Sequence, residues 1–320
     1  MSGFSTDTID HLVRANVWEN DLKKVFLPEL MGIKYVDMIS FPDGDTWNLP
    51  SISTQMETQN YAEGQAVRYT AMDTGNFTFT ITDYKSAATY ITDKFKQDSL
   101  WSDRLVASFV PAMNRALMVD IETAILALGP AAQTASDPNT INGARHRYWA
   151  SGTNQKMTFA DFAKAKYALQ KAYVPMTNLV AIVDPSVEIE LATQANVTSL
   201  MTPHPVWGNV ITNGLSGATG MRFITNIYGF DVYTSDFLTQ GISQTVSSVA
   251  GTNGVANLFF SAAPEALPFV GSLRQPPKVD SSYNKDYQRE EYVTTARWGF
   301  KMFRPENMVV VLSDNSQVYA

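Results

Sequence analysis

The spacing of apolar positions changes several times along the chain, and each change predicts an element. Between residues 6 and 27, Ile9, Leu12, Val13, Val17, Leu22, Val25 and Phe26 follow at helical spacing. Thr6 or Asp7 caps the segment and Pro28 ends it. Such a helix serves either as an arm laid on a neighbour or as a first helix packed on its own domain. After Phe41-Pro42-Asp43-Gly44 the period falls to two. Thr46 to Ile52 alternates with Trp47 and Leu49 on one face, and Pro50 restricts it to an edge or a strand end. Ala66 to Thr70 and Phe77 to Thr82 alternate again, with Thr78, Thr80 and Thr82 marking a half-exposed sheet. Between them, Ser51 to Asn60 has too few apolar residues to build a core. An extended run of about eight residues spans roughly 27 Å. A two-stranded hairpin alone is marginal in water. This excursion is therefore predicted to lie on a partner, and the natural partner is a second copy of the chain.

Ala87 to Thr92 reads as a strand returning to the body. From a cap at Asp98-Ser99, Leu105, Phe109, Met113, Ala116, Leu117, Ala124, Ile125 and Leu128 form one helical stripe that stops at Gly129-Pro130. About 30 residues give a strut of roughly 45 Å, with Pro111 expected to kink it or mark a new start. Residues 130 to 157 are turn-rich. A helix begins near Thr158 with Phe159, Phe162, Ala163, Leu169 and Tyr173 on its apolar face. Asn178 to Val183 is a short buried strand and Ser186 to Asn196 a further helix. Met201 to Gly220 reads as loop, followed by strands at Arg222 to Thr225, Phe230 to Thr234 and Asn257 to Ser261. Strand and helix alternate here, so this lobe is mixed α/β. Residues 270 to 289, with Pro276-Pro277, read as a connector. Tyr292, Thr294, Ala296, Trp298, Phe300 and Met302 alternate strictly with Val293, Thr295, Arg297, Gly299 and Lys301, which is a long strand. Pro305 breaks it and Met308 to Leu312 forms another; both are expected to pack under the long helix.

Composition narrows the function. At 320 residues the chain holds one large domain or two ordinary lobes, and 45% hydrophobic content supports a real core. Only 17% of residues are charged, below the usual quarter. Thr, Ser, Asn and Gln supply the remaining polarity. That suits extensive contacts, because an amide or hydroxyl is cheaper to desolvate than a charge; it equally suits a surface that merely tolerates these residues. Net charge is −7, and Lys23-Lys24 is the one adjacent lysine pair, which argues against tight direct binding of nucleic acid. Arg145-His146-Arg147-Tyr148-Trp149 mixes bases with aromatics but reads as an ordinary loop. There is no cysteine, so disulfides and thiolate metal sites are excluded. The first residues, Met1 to Asp7, do not form a signal peptide, and no stretch is apolar enough to span a membrane.

The chemistry of catalysis is missing. His11, His146 and His204 are far apart and have no metal-ligand companions at helical spacing. G-x-S-x-G, H-E-x-x-H and G-x-x-x-x-G-K-[ST] are all absent. Gly214-Leu215-Ser216-Gly217-Ala218-Thr219-Gly220 has no lysine after it and reads as a loop rather than a phosphate cradle. Asp184-Pro185-Ser186 reads as a strand end and helix cap, and Glu188 and Glu190 are spaced too closely to face one another on a helix. No enzyme, cofactor or metal is expected.

The order of arm, extended two-stranded loop, long helix, mixed lobe and closing strands resembles the major capsid proteins of tailed bacteriophages, the Hong Kong 97 type fold. Three stretches carry the resemblance. Gly44-Asp45-Thr46-Trp47-Asn48-Leu49-Pro50 is similar to the strand entering that family's extended loop. Tyr84-Lys85-Ser86-Ala87-Ala88-Thr89-Tyr90-Ile91-Thr92-Asp93 is similar to its return before the long helix. Residues 298–311, from Trp298-Gly299-Phe300 to Val309-Val310-Val311, are similar to its closing strands.

The resemblance implies an α+β chain with an N-terminal arm at 1–42 and an extended β-hairpin E-loop at 43–84. It implies a peripheral domain with a spine helix at 85–130 and 279–320, and an axial α/β domain at 131–278. It implies self-assembly through pentamers and hexamers into an icosahedral shell around double-stranded DNA, in the virion, after assembly in the host cytoplasm. A separate scaffolding protein, a portal and a decoration or cement protein are the further partners implied, with weak or indirect contact to DNA and none to membrane. Some members crosslink through an E-loop lysine; residues Phe41 to Tyr84 hold none, so no such crosslink is expected. Arm and loop residues Trp18, Phe26, Trp47, Leu49, Ile52, Met56, Tyr61, Val67 and Tyr69 are the expected intersubunit contacts. An encapsulin-type compartment shell and a tail or decoration component are the alternatives.

Overall fold

The computed structural model describes residues 30–40, 44, 46–52, 60, 63–64, 74–98, 102–133, 136–191 and 223–316. The first elements are β1 (Val36–Met38), β2 (Thr46–Ile52), β3 (Thr74–Thr80), β4 (Asp83–Thr92), α1 (Asp93–Asp98) and α2 (Ser102–Ala131). There follow β5 (Thr140–Ile141), β6 (Ala144–Arg145), β7 (Arg147–Trp149), α3 (Phe159–Lys171) and β8 (Leu179–Val183). The chain then forms β9 (Phe223–Ile227), β10 (Phe230–Thr234), β11 (Ile242–Val246), β12 (Val249–Ser261), β13 (Phe269–Asn284), β14 (Arg289–Met302) and β15 (Val309–Asp314). Residues 185–191 are helical. The expectations for residues 6–27, 66–70, 192–196 and 201–220 lie outside the described residues.

Two sheets organise these elements. A four-stranded sheet has the order β1-β13-β14-β4, and a seven-stranded sheet has the order β7-β15-β12-β8-β10-β9 with β11 paired to β12. Helix α2 packs on the first. Its buried Met113, Leu117, Ile121 and Ile125 recur every four residues, one face of a helix. Opposite them the strict alternation of β14 buries Thr294, Ala296 and Trp298 completely. The same core takes Val180 and Ile182 of β8, Leu258 and Phe260 of β12, and Val310 and Leu312 of β15, so α2 seals both sheets at once. The alternate residues face the other way: Ala181, Val183, Phe259, Val309 and Val311 meet Phe162, Ala165 and Leu169 of α3 in a second core. Strands buried on both faces read as unbroken apolar runs, as Leu179–Val183 and Val309–Leu312 do. Helix α3 begins near Thr158 as expected, and there Thr158 and Asp161 form a reciprocal capping box.

Several expectations are corrected. Residues 270 to 289 are not a connector; most of them belong to β13, the longest strand described. Its pairing with β14 slips on either side of Gln275, and that irregularity takes Pro276 and Pro277 out of the regular ladder. The Arg145–Trp149 stretch is not a plain loop: β7 pairs in parallel with β15, and His146 and Arg147 are buried. Both closing strands pack under the long helix as expected, but in different sheets: β15 pairs with β12 and β7 in the seven-stranded one, and its Val310 and Leu312 share a core with Leu117 and Ile121. Residues 269–278 belong to the four-stranded sheet and 309–314 to the seven-stranded one. No new helix begins at Pro111; α2 runs through it, because a proline removes one backbone bond while the downstream stripe keeps its packing. Phe109, assigned to that stripe, is 40% exposed.

Candidate intersubunit contact site

Strands β2 and β3 pair antiparallel in unbroken register from Thr46↔Thr80 to Ile52↔Thr74 and join neither larger sheet. Among the described residues the pair meets the body at its base. There Trp47 and Phe77 pack with buried Phe79, Ile81 and Val270 and with Ile39 and Phe303. The Phe77 and Phe303 rings meet edge to face at 5.0 Å. Lys301 of β14 donates from Nζ to the Thr78 carbonyl at 2.7 Å, and its ammonium stands 4.9 Å from the Phe77 ring centre. Arg274 of β13 donates from Nη1 to the Gly44 carbonyl. The close approach depends on Gly299. A Cβ there would lie 2.9 Å from both the Ile81 Cα and the Thr80 carbonyl oxygen.

The chain leading into the hairpin is held at a second point. Glu122 of α2 is 2% exposed and accepts from the Met31 amide at 3.0 Å and from the Gly32 amide at 2.9 and 2.7 Å. Burial pushes its carboxyl above the usual range; the two amides and Arg115 pull it back. At the C-terminal end of α2, Arg147 donates from Nη1 to the carbonyls of Pro130 and Gln133 at 3.0 and 3.3 Å. This supplies a cation and partners to a helix end that would otherwise leave carbonyls unpaired. That cap explains why the helix continues past Gly129-Pro130 to Ala131.

Two titratable groups lie deeper in the second lobe. Glu190 is 6% exposed and accepts from the Met157 amide at 2.7 Å, and burial, with Asp184 and Asp314 nearby, pushes it up to about 7. His146 is fully buried, and burial pushes its imidazole down. Asp184 caps residues 185–191 through the Ser186 amide at 3.0 Å, as its sequence context implies. Among the described residues no three acids or histidines stand together as metal ligands, and no helix is long and apolar enough to cross a membrane.

Of the expected contact residues, Trp47 is half-buried against its own body at the hairpin base. Leu49 pairs through its backbone with Phe77 and Ile52 with Thr74. Trp18, Phe26, Met56, Tyr61, Val67 and Tyr69 lie outside the described residues. Glu122, Arg147, Gly299 and Lys301, which hold Met31 and Gly32, the end of α2 and the hairpin, were not singled out as contacts in the sequence. The one available signal was a glutamate sitting inside an apolar helical stripe, between Ile121 and Ile125.

A family model described as phage capsid protein matches residues 76–311, well over half of the chain. The chain belongs to that family of phage shell proteins. Its fold is similar to that of a chain from Mycobacterium phage Che8, at TM-score 0.67 and 15% identity over 94% of this chain and 97% of that one. It is also similar to the capsid structure of the cyanophage P-SCSP1u, at TM-score 0.68 and 16% identity over 97% and 94%. The capsid of Ralstonia phage GP4 aligns at TM-score 0.65 and 9% identity over 98% of both chains. At these identities the likeness is one of fold. No curated protein matches the sequence.

Proposed function

We propose that copies of this chain assemble into a closed icosahedral shell of the Hong Kong 97 type that encloses packaged double-stranded DNA. One observation carries this reading: a two-stranded ribbon would be marginal alone, and here β2 and β3 form a two-stranded ladder anchored by its base and outside both sheets. The hairpin acts as the E-loop and α2 as the spine helix. The four-stranded sheet serves as the peripheral domain, and the seven-stranded sheet with α3 as the axial domain that meets its copies in pentamers and hexamers. Residues 1–42 act as an arm that adds a second set of contacts. A standard stable interface buries about 1,600 Å², and loop and arm spread that area over several neighbours. Many modest, partly polar contacts let a misplaced subunit leave before the shell closes. Scaffolding comes from a separate protein, with portal and cement proteins as further partners.

Electron microscopy of purified particles tests the reading. Closed shells containing DNA are expected; a well-folded monomer at high concentration would refute it, and shells filled with an enzyme would point to a compartment. The acidic balance of the chain, −7 overall, leaves the shell with little hold on DNA. Capsomers should therefore bind DNA weakly at low salt, and tight, salt-sensitive binding would contradict this.

A further inference from the structure

A pocket of about 350 Å³ opens in the second lobe, between α3 and two hairpin turns. Its walls include Arg145, Tyr148, Trp149, Lys164, Tyr167 and Val249. Both turns are pinned in left-handed backbone, at Asn142 and Gly143 (φ 49° and 82°) and at Ser247 and Ser248 (φ 49° and 69°). Asn142 Nδ2 donates to the Lys171 carbonyl at 2.8 Å and ties the first turn to α3. The floor is aromatic. Trp149 donates from Nε1 to the Gln244 carbonyl at 3.2 Å and lies flush on Gly251 and Gly254, where any Cβ would come within 2.5 Å of its ring. Tyr167 stands at the rim, 52% exposed, with the Lys171 ammonium 5.7 Å from its ring centre.

The charge of the pocket is one-sided. Its wall carries two bases and no acid. Lys164 reaches the buried Asp161 at 3.3 Å yet remains 52% exposed. Arg145 is exposed and has no partner among the described residues. The chain as a whole has the opposite bias, 31 acids against 24 bases. The pocket also stands beside β7, the outermost strand of the seven-stranded sheet, whose outer edge pairs with no described strand. An open concavity of this size between two tight turns suits one or two side chains rather than a groove tracking a nucleic-acid backbone.

We infer that this pocket receives a carboxylate-bearing side chain of a second copy of the chain, held between Arg145 and Lys164 with its stem on the Trp149 and Tyr167 rings. The inference rests on the shell reading and adds a contact away from hairpin and arm. To test it, Tyr167 is replaced by photoreactive benzoylphenylalanine in the full chain and assembled particles are irradiated. Chain-to-chain adducts are expected, mapping to a peptide of the second copy that contains Asp or Glu. Arg145→Glu should lower their yield about tenfold, the effect of losing one charge-assisted contact, while Arg145→Lys should largely keep it. In unsubstituted particles built from mixed isotope-labelled chains, carbodiimide should join Lys164 to an acid of another copy. Adducts confined to one chain, adducts to DNA, or a yield indifferent to Arg145→Glu would overturn the inference. Particles that form without these adducts sink the pocket alone; unsubstituted chains that form no particles sink the shell reading.

Discussion

At the scale of single residues, buried polar groups decide where flexible segments are fastened. Glu122 satisfies two consecutive backbone amides far away in sequence. Glu122→Ala leaves both without an acceptor and should cost about 1–3 kcal/mol in urea unfolding, whereas Glu122→Gln, which keeps one acceptor oxygen, should cost less. Glu190 sets a pH dependence of known sign. Its carboxyl titrates at about 7 in the folded chain against 4.5 unfolded. The folded state therefore holds a proton that the unfolded state has released. The stability tied to this group is fullest below pH 4.5 and is lost as pH rises through 7. In Glu190→Gln the melting temperature should fall less between pH 4.5 and 7.5 than in the parent. His146 acts in the opposite sense: its pKa is depressed, so its share of stability is present above 6.5 and lost as pH falls. The start of α3 near Thr158 was legible in the sequence because the apolar period begins there, although its capping box with Asp161 emerges only in the structure. Glu122 was not, because its partners come from another element, and only its place in an apolar stripe hinted at burial.

At the scale of elements, periodicity was a sound guide wherever one face met a core and the other met water. Strand β14 was readable because Ala296 and Trp298 alternate with polar neighbours, and α2 because its apolar positions recur over about seven turns. β13 was hidden by Pro276-Pro277, since the sequence shows two residues hostile to pairing but not the irregular ladder that accommodates them. β15 was seen as a strand under the long helix, but its sheet was not legible, because a fully apolar run records double burial without naming its neighbours. The hairpin base is likewise a tertiary product. Lys301 supplies a single bond from β14 to the Thr78 carbonyl. Lys301→Met should leave the fold intact and raise amide exchange in β3 by about tenfold, as a loosened local opening would. Unchanged exchange would show that the aromatic contacts of Phe77 and Phe303 hold the hairpin without it.

At the scale of the whole molecule, the order of elements was more legible than their partners. Arm, hairpin, strut, mixed lobe and closing strands led to the capsid family that the family model matches, while β13 as a strand and the sheet that takes β15 were invisible. Replacing residues 46–80 with a short Gly-Ser linker should leave α2, α3 and both sheets folded, because among the described residues the hairpin shares one small cluster with them. The product should sediment as free subunits or small oligomers and yield no closed shells in micrographs; intact shells would remove the hairpin from assembly. The clasp of Arg147 on the last turn of α2 has a mechanical corollary. It makes the helix a tie rod riveted into both halves of the subunit, so tension applied to either half is passed along rather than absorbed by a hinge. A particle swollen by its contents should therefore crack along the seams between subunits before any subunit tears.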